Sequence, residues 1–320
     1  MKIRMILFFG LKKINREIGA KMSNCVRPST FDGIVGQQDV VQRLRIIVAG
    51  CKKTRQAMCH TLIDGPPGLG KTTIASAIAK EMDVNLYTVN AANIRSIKNI
   101  IPYLMGLEGR CVLFIDEIHR LPKIVEEFLY PVMEDYRMDI LTDGQPETID
   151  LPVFTLVGAT TSGGSLSQPF YDRFVIKEHL KFYSAEELAK LAGSNADKIG
   201  VDVSPEQMIQ IARRSKGTPR ILNARLQWYR NYTSFYEDKE YTMDDVFNSQ
   251  GIDENGFDCN DNAYLEVLKN NIGNPLGIKS ISSMTGIAME TIENNIEPYM
   301  VRMGYVVRTQ KGRVAGKGCP

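Results

Sequence analysis

The segment Gly65-Pro66-Pro67-Gly68-Leu69-Gly70-Lys71-Thr72 fits the pattern G-x-x-x-x-G-K-[ST]. It lies between a short apolar run, Thr61-Leu62-Ile63-Asp64, and a helical pattern from about Thr72 to Met82. Strand, glycine-rich loop and helix in that order constrain the chain more than any other feature. The glycines let backbone N–H groups close on phosphate oxygens, and the helix N-terminus adds the positive end of its dipole. Lys71 neutralises phosphate charge, and the Thr72 hydroxyl is placed to ligate Mg²⁺. The loop therefore predicts an ATP site built on Gly65, Gly68, Gly70, Lys71 and Thr72.

Three more strand candidates follow: Leu86 to Val89, Cys111 to Ile115 and Phe154 to Ala159. Apolar runs separated by helical stretches point to a parallel sheet covered on both faces, an α/β domain. The third run ends in Asp116-Glu117. A buried strand delivering two acids at its C-terminal end puts Asp116 near the metal and leaves Glu117 to polarise a water, so hydrolysis is expected. The bland alternative is a strand capped by solvated acids. His119 reads as a polar packing residue, since phosphoryl transfer needs no histidine. Thr160-Thr161 closes the fourth strand, where a hydroxyl can hold the γ-phosphate or the attacking water. Arg173 and Arg220 are two further candidate cations, although an arginine taken alone is usually a surface residue.

Thirty-nine Lys and Arg against thirty-seven Asp and Glu leave a net charge of +2, so a DNA site must be a local patch. Residues 301–320 supply one, with Arg302, Arg308, Lys311, Arg313 and Lys317 and no acid. The six cysteines form no C-x-x-C pair and the three histidines stand apart, which argues against structural zinc and for reduced, cytoplasmic thiols. The apolar run Met5 to Phe9 is too short to span a bilayer, so residues 1–26 read as a poorly ordered leader and no membrane is implicated. From Ser184 to about Gln250 the patterns are helical only, with capped starts at Ser184, Ser204 and Thr242. Residues 251–261 are polar and read as a linker. Two helical patterns and a hairpin with a basic tip then give a winged-helix outline.

The ordered set Arg27-Pro28, GPPGLGKTT, LFIDEIHRL, LYPVMEDYRMDI, FTLVGATT, DRF, FYSAEELA, ARRSKGTPR and a terminal GRV closely resembles the RuvB family of Holliday-junction branch-migration motors, which are AAA+ ATPases. The resemblance runs from about residue 27 to 314. It implies a large ATPase domain at 27–183, a helical lid at 184–250, a winged helix at 251–320, and a homo-oligomeric ring, a hexamer, with ATP sites between subunits. By its motifs, Lys71, Thr72 and Thr73 bind phosphate and Mg²⁺, and Asp116 and Glu117 are the metal-side and water-side acids. Thr161 is the first sensor, Arg220 the second, and Arg173 the finger that reaches a neighbour's nucleotide. Val26, Arg27, Gly68, Glu134, Asp135, Tyr136 and Tyr183 match nucleotide-contacting positions, and Arg308 and Arg313 match DNA-contacting arginines of the wing.

The chain departs from the family at several points. Residues 139–152, where RuvB carries the hairpin that docks the junction-binding partner RuvA, look short and acidic, which puts docking of a RuvA-like protein in question. Ser162 replaces the usual Arg after the paired threonines, and Val175 the usual Gly after Arg-Phe. Two other classes share the ATPase motifs. A clamp-loader-like switch would carry a helical collar in place of the winged helix. A ring scaffold that binds ATP without hydrolysing it would not need Glu117 and Arg173.

Overall fold

The computed structural model describes residues 27–142, 145–237 and 239–320. The expected leader, and with it Val26, lies outside the described residues. The chain divides into two compact units, one ending at Gly65 and resuming over Gly70–Leu180, the other formed by Pro66–Leu69 and Lys181–Pro320.

The first unit is built on a parallel sheet. β1 (Thr61–Asp64), β2 (Asn85–Asn90), β3 (Cys111–Asp116), β6 (Phe154–Thr160) and β7 (Ile176–His179) run in the order β2-β3-β6-β1-β7. β6 is buried along its whole length, as a strand covered on both faces must be. Four of these strands coincide with the apolar runs of the sequence. The fifth, β7, escaped because its residues Ile176-Lys177-Glu178-His179 are mostly polar. Glu178 is nevertheless buried, and its carboxylate accepts Arg43 Nε at 2.9 and 3.2 Å, which compensates the charge. β4 (Arg137–Thr142) and β5 (Gln145–Asp150) form a separate antiparallel hairpin in the region flagged as short and acidic. Met138 is buried at its base and Leu141 is exposed towards its tip.

The second unit is helical up to its last strands. Helices Ala185–Ile199, Pro205–Arg213 and Met243–Asn248 open with the capping boxes Ser184/Glu187, Ser204/Gln207 and Thr242/Asp245. Helix Pro219–Phe235 opens at Thr218, whose hydroxyl accepts the N–H of Ile221. Helices Cys259–Lys269 and Ile278–Thr285 follow. A further helix runs from Met289 to Arg302 with a π segment at Ile292–Ile296, and the hairpin β8 (Val306–Thr309) and β9 (Gly312–Ala315) completes a winged helix. Tyr264, Leu268, Ile281, Ile292 and Met300 are its fully covered core.

The stretch expected as a linker is packed instead. Ile252 and Phe257 are buried, and Arg225 donates to Gly256 O at 3.4 Å and to Gln250 Oε1 at 2.7 Å. A Cβ on Gly256 would fall 2.7 Å from the Arg214 backbone, so that glycine permits the close approach. Lys216 then pairs with Asp261, both buried, joining the turn before helix Pro219–Phe235 to the first helix of the wing. The polar residues that suggested solvent are consumed by turn and cap hydrogen bonds, among them Asp253 Oδ1 to Asn255 and Phe257 N–H.

Candidate ATPase site and nucleic-acid surface

The C-terminal edge of the sheet gathers the residues expected from sequence to carry out hydrolysis. β6 lies between β1 and β3, so the phosphate loop, Thr160-Thr161 and Asp116-Glu117 leave from three adjacent strands. Gly65 N–H donates to Thr160 O at 3.2 Å, and Lys71 Nζ donates to Gly65 O at 2.7 Å, holding a largely buried ammonium inside the loop. Helix Lys71–Met82 starts at Gly70, a cap with no side chain, so no side-chain oxygen closes the N-terminus of the helix to an anion.

Glu117 adopts φ 51°, a left-handed conformation that costs a non-glycine residue about 1–3 kcal/mol and is held by its surroundings. Its N–H donates to Asp116 Oδ1 at 3.0 Å. Thr161 Oγ1 donates to Glu117 Oε2 at 3.4 Å, and His119 Nδ1 lies 3.4 Å from that oxygen and 3.0 Å from Thr160 Oγ1. Thr160 is fully buried and also accepts Ser162 N–H at 2.9 Å. Gly158 makes this turn possible: a Cβ there would meet Ile118 Cδ1 at 2.8 Å. His119, read from sequence as a packing residue, therefore stands between Glu117 and Thr160 of β6. Adjacency to Glu117 in the sequence was the only signal for it.

The N-terminal edge of the same sheet holds a different group. Arg173 leaves helix Gln168–Asp172 three residues before β7 begins. Its guanidinium stacks 4.1 Å from the Tyr130 ring centroid, donates to Pro169 O at 2.7 Å and pairs with Glu134 at 3.3 Å. Tyr130 is set in turn by its hydroxyl, 3.1 Å from Ser167 Oγ, and Ser167 is held by buried Glu126. Sequence reasoning named Arg173 and Glu134 but missed Glu126, Ser167 and Tyr130, because helix spacing and a loop bring them together. Tyr136 packs its ring on His60 and Phe154, at the starts of β1 and β6. Tyr136 therefore lies at the opposite end of the sheet from its own phosphate loop, and it does not line that loop. Asp135 beside it is half exposed and pairs with Arg137.

In the second unit, Arg220 N–H donates to Gly68 O at 3.3 Å, and the Arg220 side chain is exposed. Tyr183 is buried and its N–H donates to Gly217 O at 2.9 Å. Arg27 is exposed at the start of the described residues. In the wing, Arg308 and Arg313 both reach Glu297, with Nε to carboxylate distances of 2.7 and 2.8 Å. The Arg308 side chain is 50% exposed and that of Arg313 16%.

The model of the Holliday junction DNA helicase RuvB P-loop domain matches residues 26–180, the RuvB AAA lid domain 183–252 and the RuvB C-terminal winged helix domain 254–319. The chain belongs to the RuvB family. The Holliday junction branch migration complex subunit RuvB of Campylobacter jejuni subsp. doylei is 41% identical over 297 residues, 91% of this chain and 89% of the relative. That of Rhodopirellula baltica is 39% identical over 298 residues, 91% of this chain and 81% of the relative. A solved structure of Thermotoga maritima RuvB, described as a Holliday junction branch migration motor, superimposes with a TM-score of 0.83 at 33% identity, covering 91% of this chain and 96% of the other.

As a RuvB P-loop domain the first unit binds nucleotide. Among the described residues no cluster of three or more His, Cys, Asp or Glu side chains forms a protein cage for a metal. A Mg²⁺ ion takes one or two ligands from protein and the rest from water and phosphate, and the hydroxyl of Thr72 and the carboxylate of Asp116 are hard oxygen donors that would suit it. Among the described residues no helix is long and apolar enough to cross a membrane.

Proposed function

We propose that this chain is the ATP-hydrolysing subunit of a ring that drives duplex DNA through a Holliday junction. In this reading residues 27–183 are the motor, 184–250 the lid and 251–320 the DNA-contacting wing. Arg173 carries it. The finger arginine sits at the N-terminal edge of a parallel sheet whose own phosphate loop sits at the C-terminal edge. β6 alone, with seven residues, separates those edges by about 20 Å. Arg173 cannot serve its own nucleotide, but it is rigidly presented for a neighbour's. A finger contributes about 10³ to 10⁵ in rate, because it counters charge that grows only in the transition state.

Within one subunit, Lys71 and the N-terminus of helix Lys71–Met82 hold the phosphates, and Thr72 and Asp116 would hold Mg²⁺, which when bound would supply positive charge beside the phosphates. Glu117 orients the attacking water, with Thr161 and His119 fixing its carboxylate. Glu134, Asp135 and Tyr136 share the edge of Arg173 and face the same neighbouring nucleotide. Arg220 reads the γ-phosphate, and the Lys216–Asp261 and Arg225–Gly256 ties carry its displacement into the wing. Arg308 and Arg313 contact DNA phosphates, so binding is tolerant of sequence and weakened by salt. A hexamer in the cytoplasm fits these requirements, and a RuvA-like partner would meet the hairpin β4–β5. The winged helix favours this reading over a clamp-loader switch, which has no use for one.

The test is ATP-dependent movement of a synthetic four-way junction by purified protein, with and without a RuvA-type protein. The proposal expects movement that is lost in Glu117→Gln. ATP hydrolysis indifferent to junction DNA, with no movement under either condition, would refute it.

A further inference from the structure

The most completely enclosed charged group in the wing is one that no part of the proposed cycle uses. Glu297 is 0% exposed, yet its two oxygens collect four donors. Tyr264 Oη donates at 2.9 Å and Arg313 Nε at 2.8 Å to Oε1, Arg308 Nε at 2.7 Å and Arg313 Nη2 at 3.4 Å donate to Oε2, and Arg308 Nη2 forms an ion pair with Oε2 at 2.5 Å. Arg313 Nη2 reaches on to Glu293 Oε1 at 3.2 Å. Glu297 follows directly on the π segment Ile292–Ile296, the kind of irregularity that re-aims side chains at functional positions. Arg308 and Arg313 are cross-strand partners in β8 and β9, so one carboxylate ties both strands of the wing to the helix behind them. Arg313 is fixed a second time, because its N–H and C=O bond Leu276 at 2.8 and 2.9 Å.

We propose that Glu297 is the positioning residue of the DNA surface: it gathers the two guanidinium groups on one carboxylate, anchoring Arg313 from behind and orienting the more exposed Arg308 towards a phosphate. The proposal rests on the reading that the wing binds DNA through these arginines. A carboxylate accepting several charge-assisted donors is a strong, directional anchor. The contact with Glu297 also pushes the Arg313 guanidinium above its ordinary value, so it remains charged throughout. The two arginines offset the buried carboxylate, and with Glu293 paired to Arg313 the cluster is neutral overall, so what it offers to DNA is set by the orientation of its arginines and not by its net charge. Simple electrostatics and positioning then make opposite statements. Removing a negative charge near DNA should tighten binding, whereas releasing two oriented arginines should weaken it.

The full-length protein is titrated against duplex DNA by fluorescence anisotropy over a range of salt. Arg308→Ala comes first, and it should weaken binding and reduce the salt slope by about one. If it does neither, the DNA reading of the wing fails. Glu297→Gln, folded by thermal unfolding, should weaken binding by about five- to tenfold despite its extra net positive charge. If Arg308→Ala weakens binding while Glu297→Gln binds as well as the parent or tighter, positioning alone fails. Should the Gln variant not fold, the unmodified protein decides through its arginine Nε–H resonances. Slowly exchanging signals from Arg308 and Arg313 that persist at saturating DNA support the proposal, and loss of the Arg313 signal on DNA binding overturns it.

Discussion

The two edges of the central sheet use polar residues in opposite ways. At the C-terminal edge Glu117 and His119 are partly exposed and the contacts are long: Thr161 and His119 both stand 3.4 Å from the Glu117 carboxylate, and Glu117 itself is held in a left-handed conformation. At the N-terminal edge Arg173 is clasped by Tyr130, Pro169 and Glu134, and the chain Glu126–Ser167–Tyr130 fixes the clasp from behind. One edge is arranged to receive a ligand and change with it. The other presents a preformed cation a strand length from its own phosphate loop, so in the proposed ring its ligand is a neighbour's nucleotide.

The sharpest way to break this comparison is Arg173→Ala. We expect ATP hydrolysis to fall by about 10³ to 10⁵ with nucleotide binding retained, as for a group acting in the transition state. Mixing the Arg173→Ala protein with a Lys71→Ala protein should restore part of the lost hydrolysis, because one subunit supplies the loop and the other the finger. No recovery on mixing would mean that the two edges do not meet across subunits.

Glu117→Gln tests the receptive edge alone. The turn and its left-handed residue are preserved, but the water loses its general base, so hydrolysis should fall by about 10² to 10⁴ and bound ATP should persist. Mixing with Lys71→Ala should bring no recovery here, since both lesions fall on the same edge. Smaller again is Tyr130→Leu, which removes the platform under Arg173. A cation–π contact contributes about 0.5–2 kcal/mol, so steady-state hydrolysis should drop by roughly 2- to 30-fold. Tyr130→Phe keeps the ring and should retain most of the rate.

How much of this was legible differs between the edges for a physical reason. The phosphate loop and the acids of β3 are written in consecutive residues, because backbone geometry and a strand end fix their positions; Lys71 and Glu117 could be named directly. The clasp around Arg173 draws on Glu126, Tyr130 and Glu134 at helical spacing and on Ser167 from a distant loop, and nothing local marks them as a set. Burial hides two acids in the same way. Glu178 in β7 and Asp261 at the end of the 251–261 stretch are ordinary acids in the sequence, and each is buried against a cation supplied by a remote segment, Arg43 and Lys216. Arg308 and Arg313 were visible as basic residues, while the carboxylate that orients them was hidden in the helix core. A sequence records charge, and only the fold records what the charge is paired with.

The smallest effect concerns what keeps the clasped edge rigid. His60, just before β1, donates from Nε2 to Met133 O at 2.8 Å and accepts Leu156 N–H on Nδ1 at 2.9 Å. It thereby stitches the starts of β1 and β6 to the helix that carries Tyr130 and Glu134. The bond from Leu156 requires the neutral ring, because Nδ1 accepts only when it carries no proton, and burial pushes the pKa below the ordinary value, only partly opposed by the Met133 carbonyl. A histidine with a depressed folded pKa binds fewer protons folded than unfolded, so its contribution is complete above about pH 6.5 and declines as pH falls beneath that value. His60→Gln should cost about 1–3 kcal/mol at pH 7.5. Chemical denaturation at pH 7.5 and 5.5 should show the parent losing more stability on acidification than the variant. Equal losses in the two proteins would mean that His60 takes up its proton without disturbing the edge, and that the rigidity of the Arg173 clasp owes nothing to it.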